Sequence, residues 1–307
     1  MKRGNIIVIG AGPAGLSAGF YSAYYNFSTM IFEENILGGE AAEIPFLDNY
    51  PGYDKKITGK ELTDKMVQQC KETGGDIHQF EKAVELDFEG KQKFVKTEKF
   101  EYSAESVIIA SGTHPKVLEV PGKDQFRGRG VSYCAVCDGA FFKNKRVIIV
   151  GEDSRAAEVA IYLSDIASIT KLVCQKDKLC AEKILIDSLE KHNVEIIKGM
   201  KLKEIKGELN VKSILLSGKE TESTKEIDTD GVFFQLEGIP NSQLVGESNI
   251  KVDDNGYILV DKKNMTNINN VYAVGDVTDC SVKLVSTAVS QAAVAVMDIV
   301  EHNNKSF

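Results

Sequence analysis

The chain has 307 residues, with 37 Lys or Arg and 45 Asp or Glu, which gives a formal net charge of −8. Its length suits about two domains, and its acidity argues against nucleic acid as the main partner. No apolar run reaches the roughly 18 residues that a membrane-spanning helix needs, so we expect no membrane association.

The first residues, MKRGNIIVIG, lead directly into an apolar strand and lack the pattern of a signal peptide. Only two of the six cysteines are closely spaced, in CAVCDG at 134–139, which is not the pattern of a disulfide-rich secreted scaffold. In a reducing cytosol, a Cys-x-x-Cys pair is usually catalytic or metal-binding. We therefore expect a cytoplasmic protein.

The first strand–turn–helix unit is IIVIGAGPAGLSAGFYS at 6–22. Its glycines Gly10, Gly12 and Gly15 permit, in turn, a tight bend, the approach of a pyrophosphate to the backbone, and close packing of helix on strand. The N–H groups at the start of the helix then attract the phosphates. Glu33 ends the next strand, where such a site carries an acid for the ribose. Together these features predict a nucleotide site.

The second unit is VIIVGEDSRAAEVAIYL at 147–163. Each unit begins a stretch of alternating strands and helices, the pattern of a doubly wound α/β domain. The segment NNVYAVGDVTD at 269–279 predicts a return of the chain to the first domain. We therefore predict an α/β fold of two Rossmann-like, three-layer domains, the second inserted into the first. Residues 1–112 and 245–307 would form the first domain, and residues 113–244 the second.

Cys134 and Cys137 precede an apolar stretch and are predicted to open a helix, where they could close a small disulfide ring and where the helix dipole favours a thiolate. A zinc site would need a second suitably spaced pair, which the chain lacks, so we expect no metal. A static disulfide does not suit a cytosolic protein.

Six motifs occur in an order and spacing that cover nearly the whole chain: GAGPAG at 10–15, GG at 38–39, NYPG at 49–52, IIASG at 108–112, CAVCDG at 134–139 and VYAVGDVTD at 271–279. In these motifs the chain resembles the low-molecular-weight bacterial thioredoxin reductases. The resemblance implies a homodimeric flavoprotein with an FAD domain and an inserted domain, usually NADPH-binding, that carries a redox disulfide and reduces thioredoxin.

The same resemblance implies site residues. Cys137 would face the flavin, Cys134 would attack the substrate disulfide, and Asp138 would exchange protons with the dithiol, although an Asp at this place could also cap the helix. The implied FAD-binding residues are Gly10, Gly12, Pro13, Ala14, Gly15, Glu33, Gly38, Gly39, Glu40, Asn49, Val84, Ala110, Ser111, Gly112, Gly275, Asp276, Lys283, Leu284 and Val285.

The second glycine turn departs from the family pattern. Glu152 and Asp153 stand where glycines would admit a pyrophosphate, and their charges would repel phosphate at the helix N-terminus. Further along, Cys174, Gln175, Lys176 and Cys180 replace a cluster of His and Arg residues that grips the 2′-phosphate of NADPH. Near the flavin, Glu40 replaces a Gln, and Lys283-Leu284 replaces Arg-Gln.

This combination resembles the ferredoxin-dependent flavin thioredoxin reductases, which lack NADPH motifs. We therefore expect electrons to pass from reduced ferredoxin through FAD and the disulfide to thioredoxin. The alternatives are an NADPH-dependent enzyme with an atypical site, or a second flavin in the inserted domain. A flavin-binding sensor is disfavoured because Cys-x-x-Cys-Asp is complete.

Two weaker patterns complete the sequence. Six basic and two acidic residues lie between Lys123 and Arg146, and they form either a surface that steers an acidic partner or an ordinary solvated face. The other cysteines, Cys70, Cys174, Cys180 and Cys280, are expected to be buried apolar side chains.

Overall fold

The computed structural model describes residues 2–47, 49–116, 118–218, 223–236, 238–246 and 248–304. The chain forms two compact units. The first comprises Met1–Ala42, Leu47–His114 and Ile239–Phe307, and the second comprises Glu43–Phe46 and Pro115–Gly238. No helix among the described residues is long and apolar enough to cross a membrane.

The strands are, in chain order, β1 (Lys2–Arg3), β2 (Ile6–Ile9), β3 (Thr29–Glu33), β4 (Asp76–Gln79), β5 (Ala83–Asp87), β6 (Lys93–Thr97), β7 (Glu101–Ala104), β8 (Ser106–Ile109), β9 (Thr113–Pro115), β10 (Val131–Ser132), β11 (Arg146–Gly151), β12 (Ile169–Cys174), β13 (Glu195–Lys198), β14 (Met200–Gly207), β15 (Val211–Gly218), β16 (Thr224–Asp228), β17 (Gly231–Gln235), β18 (Gly238–Pro240) and β19 (Val271–Ala273).

The α-helices are α1 (Pro13–Tyr24), α2 (Gly59–Thr73), α3 (Ala135–Asp138), α4 (Ser154–Ser164), α5 (Lys183–Lys191) and α6 (Val285–Asn304). Short 3-10 helices occupy Gly39–Glu43, Gly139–Phe142, Gln243–Val245 and Gly275–Val277.

The first unit has three layers around a parallel sheet of order β19-β8-β2-β3-β4. Side chains alternate between the two faces of a strand. Ile7 and Ile9 of β2 therefore pack towards the mainly antiparallel sheet β1-β7-β6-β5. Ile6 and Val8 pack on the other face, with apolar residues of α1, α2 and α6. Both faces are buried, so β2 has a continuous apolar sequence.

The second unit repeats this plan. Its parallel sheet has the order β10-β17-β11-β12-β13. Val147 and Ile149 of β11 pack with α4 and α5, whereas Ile148 and Val150 pack with the antiparallel sheet β14-β15-β16. The α/β fold of two Rossmann-like, three-layer units is thus as the sequence predicts.

In both units the strand order reverses beside the first strand of the βαβ unit. β2 lies between β3 and β8, and β11 lies between β12 and β17. Open α/β sheets bind ligands outside the carboxyl ends of the strands at such a switch point. The two glycine turns follow these central strands and therefore occupy the two ligand-binding positions of the fold.

Both boundaries of the inserted unit differ from the sequence prediction: the first lies at 114/115 instead of 112/113, and the second at 238/239 instead of 244/245. Residues 239–244 belong to the first unit, because Asn241 is held there: its N–H donates to the Gly112 carbonyl (2.9 Å), and its side-chain amide donates to the Ser111 carbonyl (2.8 Å). The short segment Glu43–Phe46 belongs to the second unit, where Phe46 packs against the α4–α5 side of the core. Neither contact has a signature in the sequence.

Candidate flavin and disulfide sites

The first glycine turn is tight enough to require glycine at two places. Gly10 has φ +101°, and a Cβ built on it would lie 2.3 Å from the carbonyl oxygen of Ala110. A Cβ on Gly15 would lie 1.8 Å from the carbonyl oxygen of Gly10. Side chains at these positions would force the turn, α1 and β8 apart, so Gly10 and Gly15 maintain the packing of the turn.

Gly12 has a different environment. A Cβ built on it would meet only the Cα of Gly39, at 4.0 Å. Among the described residues, no side chain caps α1 at Gly12, and Pro13 occupies the first turn. The start of α1 therefore presents backbone N–H groups beside a surface of two facing glycines, Gly12 and Gly39. This cradle fits the pyrophosphate of a dinucleotide.

Glu33 lies at the end of β3 and is almost fully buried. Its Oε2 accepts a hydrogen bond from the Ala11 N–H (2.8 Å), and its Oε1 accepts one from the Asn35 N–H (2.8 Å). The carboxylate is thus held against the glycine turn, where an acid can bind a ribose.

Several of the other residues that the resemblance implies for FAD lie at the carboxyl edge of the same parallel sheet. Ala110, Ser111 and Gly112 follow β8, and Gly275 and Asp276 follow β19. The carboxyl ends of β8 and β19 adjoin that of β2 because these three strands are parallel neighbours.

Three regions lie outside this group. Asn49 is exposed in a loop, and Val84 is 43% exposed on β5 of the antiparallel layer. Lys283, Leu284 and Val285 form the approach to α6 and its first residue.

Two departures from the family pattern have defined partners. The Glu40 Oε2 accepts a hydrogen bond from the Thr113 hydroxyl (3.1 Å). The Lys283 ammonium donates to the carbonyls of Asp276 (3.0 Å) and Thr278 (2.5 Å) and lies over the Tyr257 ring. Desolvation lowers the pKa of Lys283, while nearby carboxylates oppose this effect. Lys283 thus stabilises the turn that contains Asp276.

Gln291 holds the turn that contains Gly275 and Asp276, and sequence reasoning missed it. Its side-chain oxygen accepts the Gly275 N–H (2.7 Å), and its amide donates to the Thr278 hydroxyl (3.3 Å). Gln291 therefore fixes the Gly275–Val277 turn from α6. The available signal was a polar residue within the mainly apolar sequence of this helix, and the structure shows that this residue is half-buried.

The two cysteines of CAVCDG form a disulfide. Cys134 is the N-cap of α3, and its Sγ accepts the Cys137 N–H (3.2 Å). Asp138 ends α3, and its Oδ2 accepts a hydrogen bond from the Ser132 hydroxyl (2.7 Å). The Asp138 side chain makes no capping hydrogen bond to the 3-10 helix that follows it. Its carboxylate is therefore engaged beside the disulfide.

The second glycine turn is also tight but is occupied by the chain itself. A Cβ on Gly151 would lie 2.2 Å from the Gln235 carbonyl oxygen. At the next position, the Glu152 Oε2 forms an ion pair with the Lys176 ammonium (2.9 Å), and the Glu152 carbonyl accepts the Cys180 N–H (2.8 Å). The loop after β12 is thereby fastened to the turn.

Asp153 and Ser154 complete this closure. The Asp153 Oδ1 caps α4 by accepting the Ala156 N–H (3.1 Å), and the Ser154 hydroxyl donates to the Glu182 carboxylate. An Asp cap places a negative charge at the positive end of the helix dipole. The N-terminus of α4 thus has an anion of its own, whereas that of α1 has none from a capping side chain.

The remaining cysteines only partly follow the sequence expectation. Cys70 and Cys174 are buried, and burial raises the pKa of both thiols, that of Cys70 to about 11. Cys180 is exposed and Cys280 is half-buried, so the expectation was wrong for these two, which lie in loops outside the helices and strands. Gln175 is exposed. The described residues contain no group of three or more His, Cys, Asp or Glu that could hold a metal.

Two of the six basic residues near the disulfide have acidic partners. Lys123 is buried and pairs with Glu119 (2.9 Å) and Asp124 (3.6 Å). Arg146 pairs with Asp228 and with Asp230, and its guanidinium lowers the pKa of Asp230. These two charges are locally neutralised, which weakens the interpretation as a surface that steers an acidic partner.

Comparison with known proteins places these sites in a family. The family model described as pyridine nucleotide-disulphide oxidoreductase matches residues 4–292. The thioredoxin reductase of Bacillus subtilis is 36% identical over 303 residues, covering 96% of this chain and 93% of that protein.

Solved structures agree with this assignment. The thioredoxin reductase of T. acidophilum has a TM-score of 0.95 and 31% identity, with 99% of each chain covered. A ferredoxin-flavin thioredoxin reductase from Clostridium acetobutylicum has 33% identity and a TM-score of 0.54, again with 99% of each chain covered.

Proposed function

Because the chain belongs to the thioredoxin reductases of the pyridine nucleotide-disulphide oxidoreductase family, we propose that it takes electrons from reduced ferredoxin and delivers them, through the Cys134–Cys137 disulfide, to thioredoxin. FAD is its cofactor, as in this family, and the cradle at Gly12 and Gly39 with Glu33 fits that group. The remaining FAD-binding residues that the resemblance implies, and a homodimeric assembly, belong to the same proposal.

The choice of donor rests on the second glycine turn, whose backbone and charged groups are already bonded within the chain. The Glu152–Lys176 ion pair, the Asp153 cap on α4 and the Cys180 N–H on the Glu152 carbonyl use the backbone and charges that a pyrophosphate would need. A dinucleotide would have to displace these contacts and then bind beside two carboxylates. The family's ordinary donor is therefore disfavoured in this chain.

The absence of arginines for the 2′-phosphate also disfavours NADPH. Gln175 and Lys176 cannot reproduce the bidentate contacts that arginines make with a phosphate. Charge-assisted hydrogen bonds contribute about 1.5–3 kcal/mol each, so losing two or three lowers NADPH affinity by several powers of ten at about 1.4 kcal/mol per tenfold.

FAD held at the cradle of Gly12 and Gly39 would supply the electron pair that opens the Cys134–Cys137 disulfide, and two electrons from reduced ferredoxin would replace that pair. The Cys134 thiolate then attacks the thioredoxin disulfide, forms a mixed disulfide and releases one thioredoxin thiolate. Cys137 attacks Cys134 Sγ, which re-forms the intrachain disulfide and releases the second thiolate. Each released thiolate takes up one proton, and Asp138 is the proposed group for this exchange.

The test is an anaerobic titration of the flavin absorbance of the full-length protein, first with NADPH and NADH and then with reduced ferredoxin. We expect negligible bleaching with either nucleotide and complete bleaching with ferredoxin, followed by thioredoxin reduction. Rapid bleaching by micromolar NADPH would contradict the proposal and favour the atypical NADPH site. A ratio of two flavins per chain would instead indicate that the inserted unit binds a second flavin.

A further inference from the structure

Ser132 is a buried polar residue that joins both functional ends of the Cys-x-x-Cys-Asp motif. It is 4% exposed. Its Oγ lies 2.7 Å from the Asp138 Oδ2 and accepts the Cys134 N–H at 3.1 Å. The Cys134 carbonyl is farther from this Oγ, at 3.3 Å. A hydroxyl has a single proton to donate. The Asp138 carboxylate is both closer than the Cys134 carbonyl and the stronger acceptor because it is charged, so Ser132 donates to Asp138.

The strand that carries Ser132 is rigidly held. Ser132 is in β10, in register with Phe233 of β17. The next residue, Tyr133, stacks on Phe234, and its carbonyl accepts a hydrogen bond from the Gln235 side chain (3.1 Å). β17 is in turn an interior strand of the parallel sheet. The position of the Ser132 hydroxyl is therefore set by the core of the unit and not by helix α3, where Cys137 is exposed.

We propose that Ser132 is a positioning residue that holds the Asp138 carboxylate in the orientation needed for proton exchange with the dithiol. This inference rests on the proposed disulfide reductase function. With Oδ2 fixed by the hydroxyl, the carboxylate cannot rotate freely, and Oδ1 is the oxygen that carries the proton. The same hydroxyl anchors the Cys134 backbone, so the cysteine and the carboxylate keep one relative position while the disulfide opens and closes.

A double-mutant cycle tests this role, using Ser132→Ala, Asp138→Asn and the double variant in the full-length FAD-loaded enzyme. Loss of a hydrogen bond to a charged group corresponds to about a tenfold to hundredfold effect. We expect Ser132→Ala to lower kcat by about tenfold with an unchanged KM for thioredoxin, and to cause no further loss in the Asp138→Asn background. Additive losses, or a raised KM with wild-type kcat, would overturn the inference.

Two further variants separate positioning from structure. Ser132→Thr keeps the hydroxyl and should keep most of the wild-type rate; a threonine variant as slow as the alanine variant contradicts the proposal. Ser213→Ala is the matched control, since Ser213 is also buried in the same unit and donates to a carboxylate, Glu226 Oε1 (2.6 Å), on the antiparallel sheet. It should leave the rate unchanged.

A small aromatic disulfide, 5,5′-dithiobis(2-nitrobenzoate), separates this inference from the proposed function. Each protein is reduced with dithionite, and the release of the coloured thiol is followed by stopped flow. If the wild type fails with thioredoxin but reacts with this reagent, the proposed substrate is wrong, while the coupling between Ser132 and Asp138 can still be measured. If the two substitutions act independently in this reaction, the positioning role is wrong even when thioredoxin is the substrate.

Discussion

At the scale of single residues, Gly12 and Gly15 have different roles in one turn. A Cβ at position 15 would lie 1.8 Å from the Gly10 carbonyl oxygen, whereas a Cβ at position 12 would meet only the Gly39 Cα at 4.0 Å. A side chain at position 15 conflicts with the protein itself, whereas one at position 12 would conflict only with the pyrophosphate that we propose to bind there. Packing and binding can therefore be separated by two alanine substitutions.

We expect Gly12→Ala to fold normally but to bind FAD about tenfold to hundredfold more weakly, since the added methyl keeps phosphate from the N–H groups. Gly15→Ala should lower the stability of the FAD-free protein by about 1–3 kcal/mol, the usual range for an overpacked site. The measurements are FAD titration by fluorescence and urea unfolding of the stripped protein. Equal effects of the two variants on unfolding would contradict this division of roles.

The cysteine pair supports a second residue-level prediction. We expect Cys134→Ser to abolish thioredoxin reduction and to leave reduction of the flavin by its donor intact, because Cys134 is the proposed outward nucleophile. In Cys137→Ser, reduced flavin should lose its route to the disulfide. Flavin absorbance and thioredoxin turnover are measured in parallel, with Cys280→Ser as a control that changes neither. Turnover at the wild-type rate in either variant of the pair would refute the assignment.

At the scale of elements, a buried carboxylate attaches α6 to β19. Asp298 of α6 is 3% exposed and accepts hydrogen bonds from the Tyr272 hydroxyl (2.8 Å) and the Lys263 ammonium. Burial alone would raise the pKa of Asp298, but these hydrogen bonds outweigh it and lower the pKa below its ordinary value. Ionised Asp298 therefore stabilises the first unit.

Asp298→Asn should destabilise the first unit at pH 7 by about 1–3 kcal/mol. A carboxyl whose pKa is lower in the folded state contributes its stability above the unfolded value of about 4 and loses it as the pH falls through the folded value. The gap between wild type and variant in urea unfolding should therefore be full at pH 7 and shrink below about pH 4.

Asp64→Asn is the control for this prediction, because the Lys60–Asp64 pair on α2 is exposed, with side-chain exposures of 68% and 62%. It should change stability by less than about 0.5 kcal/mol at any pH. A gap between wild type and Asp298→Asn that stays constant down to the acid limit of folding would contradict the role of ionised Asp298.

The sequence predicted the parallel sheets because continuous apolar strands and glycine turns leave strong local patterns, as at β2 and β11. It did not predict the antiparallel third layers. β14 and β15 mix lysines with apolar residues and have irregular register, so alternation is interrupted there. The pair of Ser132 and Asp138 was also missed, since a contact across six residues and a turn has no fixed spacing.

At the scale of the whole molecule, the two units share one architecture but differ at the helix N-terminus that follows each glycine turn. The start of α1 has no side-chain cap, while α4 is capped by Asp153 and followed closely by the Glu152–Lys176 pair. Lys176 lies beyond β12 in the chain and is brought to Glu152 only by the parallel pairing of β11 and β12. The Glu152–Lys176 pair thus connects the second glycine turn to the loop after β12.

Because these contacts are connected, restoring a nucleotide site requires several changes together. Glu152→Gly removes the partner of Lys176, and Asp153→Gly removes the cap of α4 at a cost of only a few tenths of a kcal/mol, since glycine is itself an acceptable N-cap. Adding Gln175→Arg and Lys176→Arg supplies two guanidiniums for the 2′-phosphate. We expect this quadruple variant to show slow bleaching of the flavin by NADPH, where the wild type shows none.

The glycine pair alone and the arginine pair alone are the matched controls for the restored site. Each should remain inactive with NADPH, because one leaves the 2′-phosphate without guanidiniums and the other leaves carboxylates against the pyrophosphate. With NADH, the glycine pair and the quadruple variant should behave alike, since NADH lacks the phosphate that the arginines bind. If Asp153 and Glu152 are the obstruction, both must gain some NADH-dependent bleaching in the anaerobic flavin assay. A quadruple variant that binds NADPH no better than the wild type would show that the contacts of Glu152 and Asp153 are not what excludes the nucleotide.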